Sequence, residues 1–163
     1  QRLQDIEKAA LAADVSAAAG YAGTVLGLGQ LPFPGESDRE NYNAAFELLK
    51  EGHYEEAAAA FKQFMAVYPD SEWNGNAQYW LAETYYVTQD FVTALPAFKK
   101  VIADYPASRK VPDALLKIGF SNHALSNWAD ARKALTEVAT RYPETTAARL
   151  ARQRLDQMQS EGN

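Results

Sequence analysis

A period of 37 residues runs through this chain and limits what it can fold into more than any other feature. Tyr68-Pro69, Tyr105-Pro106 and Tyr142-Pro143 recur at that interval, as do Tyr54, Phe91 and Trp128. Ala57, Ala94 and Ala131 share the register, then Phe61, Phe98 and Leu135, and further upstream Ala45, Ala82 and Gly119. Self-similarity over a few tens of residues marks stacked supersecondary units, none of which can bury its apolar face alone.

Each unit reads as two helices. In the middle one, Ala77, Trp80, Leu81, Ala82 and Tyr85 fall at helical spacing, and Thr88-Gln89 ends the run. Asp90 is a good N-cap for a second helix whose stripe is Phe91, Ala94, Leu95, Phe98, Val101 and Ile102. Tyr105-Pro106 stops it, because the residue before a proline avoids the helical region. Gly52 supplies the equivalent break in the first unit, and Asn127 the equivalent cap in the third. The small residues of the column Ala45, Ala82 and Gly119 belong where two helices cross closely. The large aromatics fill the space between hairpins. Pro96 falls inside the second helix of the middle unit, where it removes a hydrogen bond to Val92 and predicts a bend.

The expected organisation is all-α: three 37-residue hairpins at about 41–69, 75–106 and 112–143, closed by a capping helix at about 146–159. Ala147, Ala148, Leu150, Ala151, Leu155 and Met158 mark the apolar face of that last helix, and Arg149, Arg152, Arg154 and Asp156 its polar one. A stacked array needs such a polar-backed end. Residues 1–19 read as an Ala-rich helix with heptad spacing at Leu3, Ile6, Ala10, Ala13 and Ala17, the end of a coiled coil. Residues 20–40, with Gly-Leu-Gly and Pro-Phe-Pro-Gly, read as a linker.

A net charge of −5 and a pI near 5.1 argue against a nucleic-acid binder and against electrostatic docking on anionic lipid. The absence of cysteine removes disulfides, thiolate zinc sites and cysteine nucleophiles. No stretch approaches the roughly 18–20 apolar residues of a membrane-spanning helix. The chain opens at Gln1 without Met or a basic-then-apolar leader, and so reads as a processed or trimmed chain.

The columns resemble the tetratricopeptide (TPR) pattern: a small residue in the first helix, an aromatic and then Ala in the second, and Pro at the end. That pattern has a period of about 34, and the extra residues here fall near Asp70-Ser71-Glu72 and Ala107-Ser108-Arg109. The resemblance narrows further. Tyr-Pro-Asp-Ser at 68–71, Asn-Ala-Gln-Tyr-Trp-Leu-Ala-Glu-Thr-Tyr-Tyr at 76–86, Pro-Asp-Ala-Leu-Leu-Lys-Ile-Gly at 112–119, Arg-Tyr-Pro-Glu-Thr at 141–145 and the run at 147–155 look like the C-terminal domain of the CpoB (YbgF) family. These are cell division coordinators of the Tol-Pal system. The resemblance covers about residues 41–158. It implies a periplasmic TPR-type α-α superhelix, cut from a precursor with a signal peptide, that binds TolA. It also implies a role in coordinating peptidoglycan synthesis with outer-membrane constriction during division, which makes the peptidoglycan synthase machinery a further partner. An N-terminal coiled coil would make the full-length protein a homo-oligomer.

In such a fold the first helices line a groove for a partner polypeptide. The expected groove positions are Arg39, Tyr42, Phe46 and Leu49 in unit one, Asn76, Tyr79, Glu83 and Tyr86 in unit two, and Asp113, Leu116, Phe120 and His123 in unit three. Aromatic rings with a few polar groups suit a helix or extended peptide. The competing expectation is that Phe46, Leu49, Leu116 and Phe120 pack against neighbouring hairpins. The basic set that clamps a C-terminal carboxylate in some cytosolic relatives is missing, with Lys50 the lone candidate.

Catalysis, cofactors and metals find little support. His53 has Glu51, Glu55 and Glu56 around it but no second His at ligand spacing, and reads as a solvated turn. His123 has no nucleophile motif beside it, and there is no phosphate loop. Glu83 and Asp113 could approach one another across units, which alone makes no site. The chain is therefore expected to be a non-enzymatic scaffold. The alternatives are a different TPR envelope scaffold, similar to an outer-membrane assembly factor, and an enzyme or its regulatory subunit.

Overall fold

The computed structural model describes residues 37–163. The coiled-coil candidate at 1–19 and nearly all of the linker at 20–40 lie outside the described residues. Among the described residues the regular elements are seven α-helices: α1 Asp38–Lys50, α2 Tyr54–Val67, α3 Asn74–Val87, α4 Phe91–Asp104, α5 Val111–Ala124, α6 Trp128–Arg141 and α7 Thr146–Glu161. Each packs on the next, and α1 also touches α3, and α5 touches α7. Helices α1–α2, α3–α4 and α5–α6 are the three expected hairpins. The architecture is a TPR-like all-α superhelix.

Helix α1 begins inside the stretch read as linker. Ser37 and Glu40 form a reciprocal capping box: the Glu40 N–H donates to Ser37 Oγ, and the Ser37 N–H donates to Glu40 Oε2 at 2.8 Å. This satisfies two of the N–H groups that a helix start leaves open. The signal was present as Ser-x-x-Glu ahead of an apolar run. At α4, Asp90 accepts from the Thr93 N–H as expected. At α6, Asn127 holds the cap position, but its side chain makes no capping bond and its amide points to Asn122 Oδ1 at 3.4 Å.

The turn inside each hairpin is built one way three times. Gly52, Gln89 and Ser126, again 37 apart, all take positive φ, at 83°, 64° and 60°. In each, the following residue donates its N–H back to the helix: His53 to Leu48, Asp90 to Tyr85, Asn127 to Asn122, at 2.8–2.9 Å. This is the Schellman arrangement that closes a helix end through one left-handed residue.

The repeat columns are the core. Ala45, Ala82, Ala57, Ala94, Ala131, Phe61, Phe98 and Leu135 are all fully buried. Burying each Phe contributes about 2–3 kcal/mol of transfer free energy. Gly119 replaces Ala at the α5–α6 crossing because a Cβ there would sit 2.6 Å from Cγ and Cδ2 of Leu135. Pro96 lies within α4, which continues through it to Asp104.

The sequence predicted α7 as a cap, and the structure adds where it belongs. Ala77, Ala114 and Ala151 are 37 apart, fully buried, and equivalent in α3, α5 and α7. Helix α7 is thus the first helix of a fourth unit that has no second helix among the described residues. Thr145 starts it, accepting from the Ala148 N–H and donating to the Tyr142 carbonyl.

Candidate functional site: the first-helix face

Stacking the units brings α1, α3, α5 and α7 side by side, and one position on each reaches back onto the helix before it. That column is Trp80, Lys117 and Arg154, each 37 residues from the next. The Trp80 ring packs on Phe46 of α1 with centroids 5.0 Å apart. Lys117 Nζ donates to Glu83 Oε1 of α3 at 2.8 Å and lies 4.0 Å from the centroid of Tyr86. The Arg154 guanidinium lies 4.4 Å from the centroid of Phe120 on α5, and its Nη1 is 3.3 Å from His123 Nδ1. The receiving positions are themselves columns: Phe46, Glu83 and Phe120, then Leu49, Tyr86 and His123.

A second column does the same at the start of each helix. Trp73 stacks on Tyr42 at 5.1 Å. Its counterpart Lys110, the residue just before α5, places Nζ 5.1 Å from the Tyr79 centroid and 4.7 Å from that of Trp80. A cation over an aromatic face is attracted by the ring quadrupole, at about 0.5–2 kcal/mol. Unit one is therefore joined to unit two by rings on rings, and the later junctions by cations on rings.

These junctions decide where the twelve expected groove residues lie. Tyr42, Phe46, Leu49, Tyr79, Glu83, Leu116 and Phe120 are buried. The six apolar ones are part of the core and not open groove lining, as the competing expectation had it for Phe46, Leu49, Leu116 and Phe120. Tyr42 alone has Phe46, Phe61, Phe64 and Trp73 around it. Arg39 is exposed, and Asn76, Tyr86, Asp113 and His123 are half-buried. Tyr86 leans edge-on against Phe91 and Phe98, which leaves part of the ring at the surface.

Two charged groups are fully enclosed. Glu83 and Lys117 are both nearly solvent-free and pair at 2.8 Å. Across units the structure brings Lys117 to Glu83. Taking two charges out of water is offset only by close pairing, so this pair fixes register more than it adds stability. His123 is held below the ordinary histidine range, first by burial and then by the Arg154 charge, with Glu161 acting the opposite way. Its ring stands edge-on to Trp128 at 5.0 Å.

The remaining candidates are peripheral. His53 is exposed just before α2, with Nε2 3.8 Å from Glu51 and Nδ1 4.0 Å from Glu56. Lys50 is bonded to Glu47 at 2.6 Å. Among the described residues no three His, Asp or Glu side chains gather to hold a metal, and no helix is long and apolar enough to cross a membrane. Sequence reasoning missed Lys110, Lys117 and Arg154, although the 37-residue register, carried one column further, places all three.

Comparisons with known proteins agree with this architecture. A family model described as YfiO, outer membrane lipoprotein, matches residues 34–160. Two curated Pseudomonas putida proteins named cell division coordinator CpoB are 46% identical to this chain over 52 residues, 31% of this chain and 19% of theirs. The matched stretch thus spans about a fifth of those relatives' length. Among solved structures, the first TPR domain of Spaghetti (RPAP3), bound to an HSP90 peptide, superposes with a TM-score of 0.62 at 18% identity. That match covers 80% of this chain and 99% of the other, and at such identity it speaks to the fold alone.

Proposed function

Because this chain belongs to the YfiO outer membrane lipoprotein family, we propose that it is a cell-envelope scaffold that acts by holding another protein. In this reading it works in the periplasm as a cell division coordinator of the CpoB type. It binds TolA along the first-helix face and couples peptidoglycan synthesis to outer-membrane constriction without catalysing a reaction itself. The observation that carries the reading is the pairing of a stacked array with a half-open polar and aromatic strip: Arg39, Asn76, Tyr86, Asp113 and His123. The buried rings beneath keep that strip rigid, so a partner is met by a preformed surface. The likeness of the 52-residue stretch to the CpoB proteins supports the division role.

Calorimetry of the chain against the periplasmic part of TolA tests this directly. Saturable binding is expected. No heat, and no shift on a sizing column at high concentration, would refute it. The family match favours a second reading, an outer-membrane assembly scaffold. A lipid-modified Cys near the start of the full gene product, together with no affinity for TolA, would decide for that alternative.

A further inference from the structure

The contact that seats α7 depends on a proton. Arginine only donates hydrogen bonds, so the 3.3 Å contact between Arg154 Nη1 and His123 Nδ1 requires Nδ1 to accept. His123 is then the neutral ring with its proton on Nε2, and Nε2 is buried without a partner among the described residues. The ring is wedged between Trp128 of α6 and the Arg154 side of α7, and the same guanidinium covers Phe120. One imidazole thus touches side chains of both α6 and α7.

We propose that His123 and Arg154 form a proton-sensitive latch: while the ring is neutral it holds α7 against the array, and protonation of Nδ1 releases that helix and bares the end of the superhelix. Protonation turns the acceptor into a donor facing another donor, and places two positive charges at hydrogen-bond distance. Among the described residues, the charged groups acting on the ring are Arg154 and Glu161, both on α7. Glu161 favours the protonated ring, but burial and Arg154 together outweigh it. Trp128 is the neighbour from α6 and carries no charge. Tyr86 of α3 interacts with Arg154. The sign follows. With α7 docked, His123 binds its proton more weakly than in the undocked or unfolded chain. Docking is therefore fully favourable above the ordinary histidine range and weakens as pH falls through and below it.

The test is residue-resolved amide exchange on the whole chain at about pH 7.5 and about pH 5, after correction for intrinsic exchange rates. In the wild type, protection of the α7 amides should drop severalfold at the lower pH while that of α1–α4 holds. His123→Gln keeps an oxygen that accepts from Arg154 but does not titrate, and should abolish the difference. Equal α7 protection at both pH values, or the same acid sensitivity in His123→Gln, would overturn the proposal. If that variant folds poorly, the wild-type ring resonances decide. Titration of His123 below the usual range, in step with shifts in α7, supports the latch; titration at or above that range, with α7 unmoved, overturns it.

Discussion

Arg154 is the 37-residue counterpart of Lys117, and each lays its cation on the two side chains that the same two positions supply in the preceding unit. Lys117 takes Glu83 and Tyr86, while Arg154 takes Phe120 and His123. The geometry repeats and the chemistry does not. An acid under the cation makes a permanent ion pair, and a titratable ring accepts a hydrogen bond only while it is neutral.

Removing the permanent pair on one side only should be costly. Lys117→Met strands the Glu83 carboxylate in the interior, a change expected to lower stability by about 3 kcal/mol. Glu83→Gln combined with Lys117→Met should recover most of that loss, since neither charge then needs a partner. Urea unfolding of the wild type, the single and the double variant measures both effects. Equal losses in the single and double variants would mean that the pair is not the cause.

The turn column gives a prediction of opposite sign. Gln89 and Ser126 hold left-handed backbone angles at which a side chain is strained, where the first unit has Gly52. Gln89→Gly and Ser126→Gly should each stabilise the fold by about 0.5–1 kcal/mol, because relief of the strain exceeds the extra freedom that glycine has when unfolded. Gly52→Ala should destabilise by a similar amount. Thermal melts at one pH compare all three.

Phe98 is fully buried, with Tyr79 at 5.6 Å and Tyr86 at 6.2 Å. Phe98→Ala should cost about 3–5 kcal/mol. The cavity opens against Tyr79 and Tyr86 of α3, so amide exchange should rise in α3 and α4 before it rises in α1. A uniform rise would show that the array unfolds as one unit and not by neighbours.

Partner binding and folding should separate by residue. Tyr79→Ala removes a buried ring and is expected to lower the melting temperature. Asn76→Arg changes a half-buried polar position on the same helix and should leave the melt almost unchanged while weakening TolA binding severalfold. Unchanged affinity in Asn76→Arg would move the binding surface off this face.

The hairpins were legible because their signals are local. The Tyr-Pro stops, the Ala columns and the Asp90 cap each act within one or two turns of chain. The start of α1 was missed, although Ser37 and Glu40 announce it, because the Pro-Phe-Pro-Gly stretch just before it dominated the reading. The burial of Tyr42, Phe46 and Phe120 was not fully legible from their own hairpins, although Phe61 and Phe64 already flank Tyr42. It is completed by Trp73, Trp80 and Arg154, which arrive from the next unit 31 to 34 residues later. Reading the first-helix columns as pairs of successive units would have found them.

An array of this kind has no natural length, and the outer face of α7 resists extending it. The column of small residues that lets a second helix cross its partner runs Ala45, Ala82, Gly119 and then Asp156, while the position of Leu115 in α5 becomes Arg152. Both charges are exposed on α7. An incoming helix would have to strip water from a carboxylate and a guanidinium at its point of closest approach, which opposes docking on this face. That resistance is carried by a few side chains on one surface, and changing those back to alanine and leucine is what completing a fourth helical pair on this scaffold would begin with.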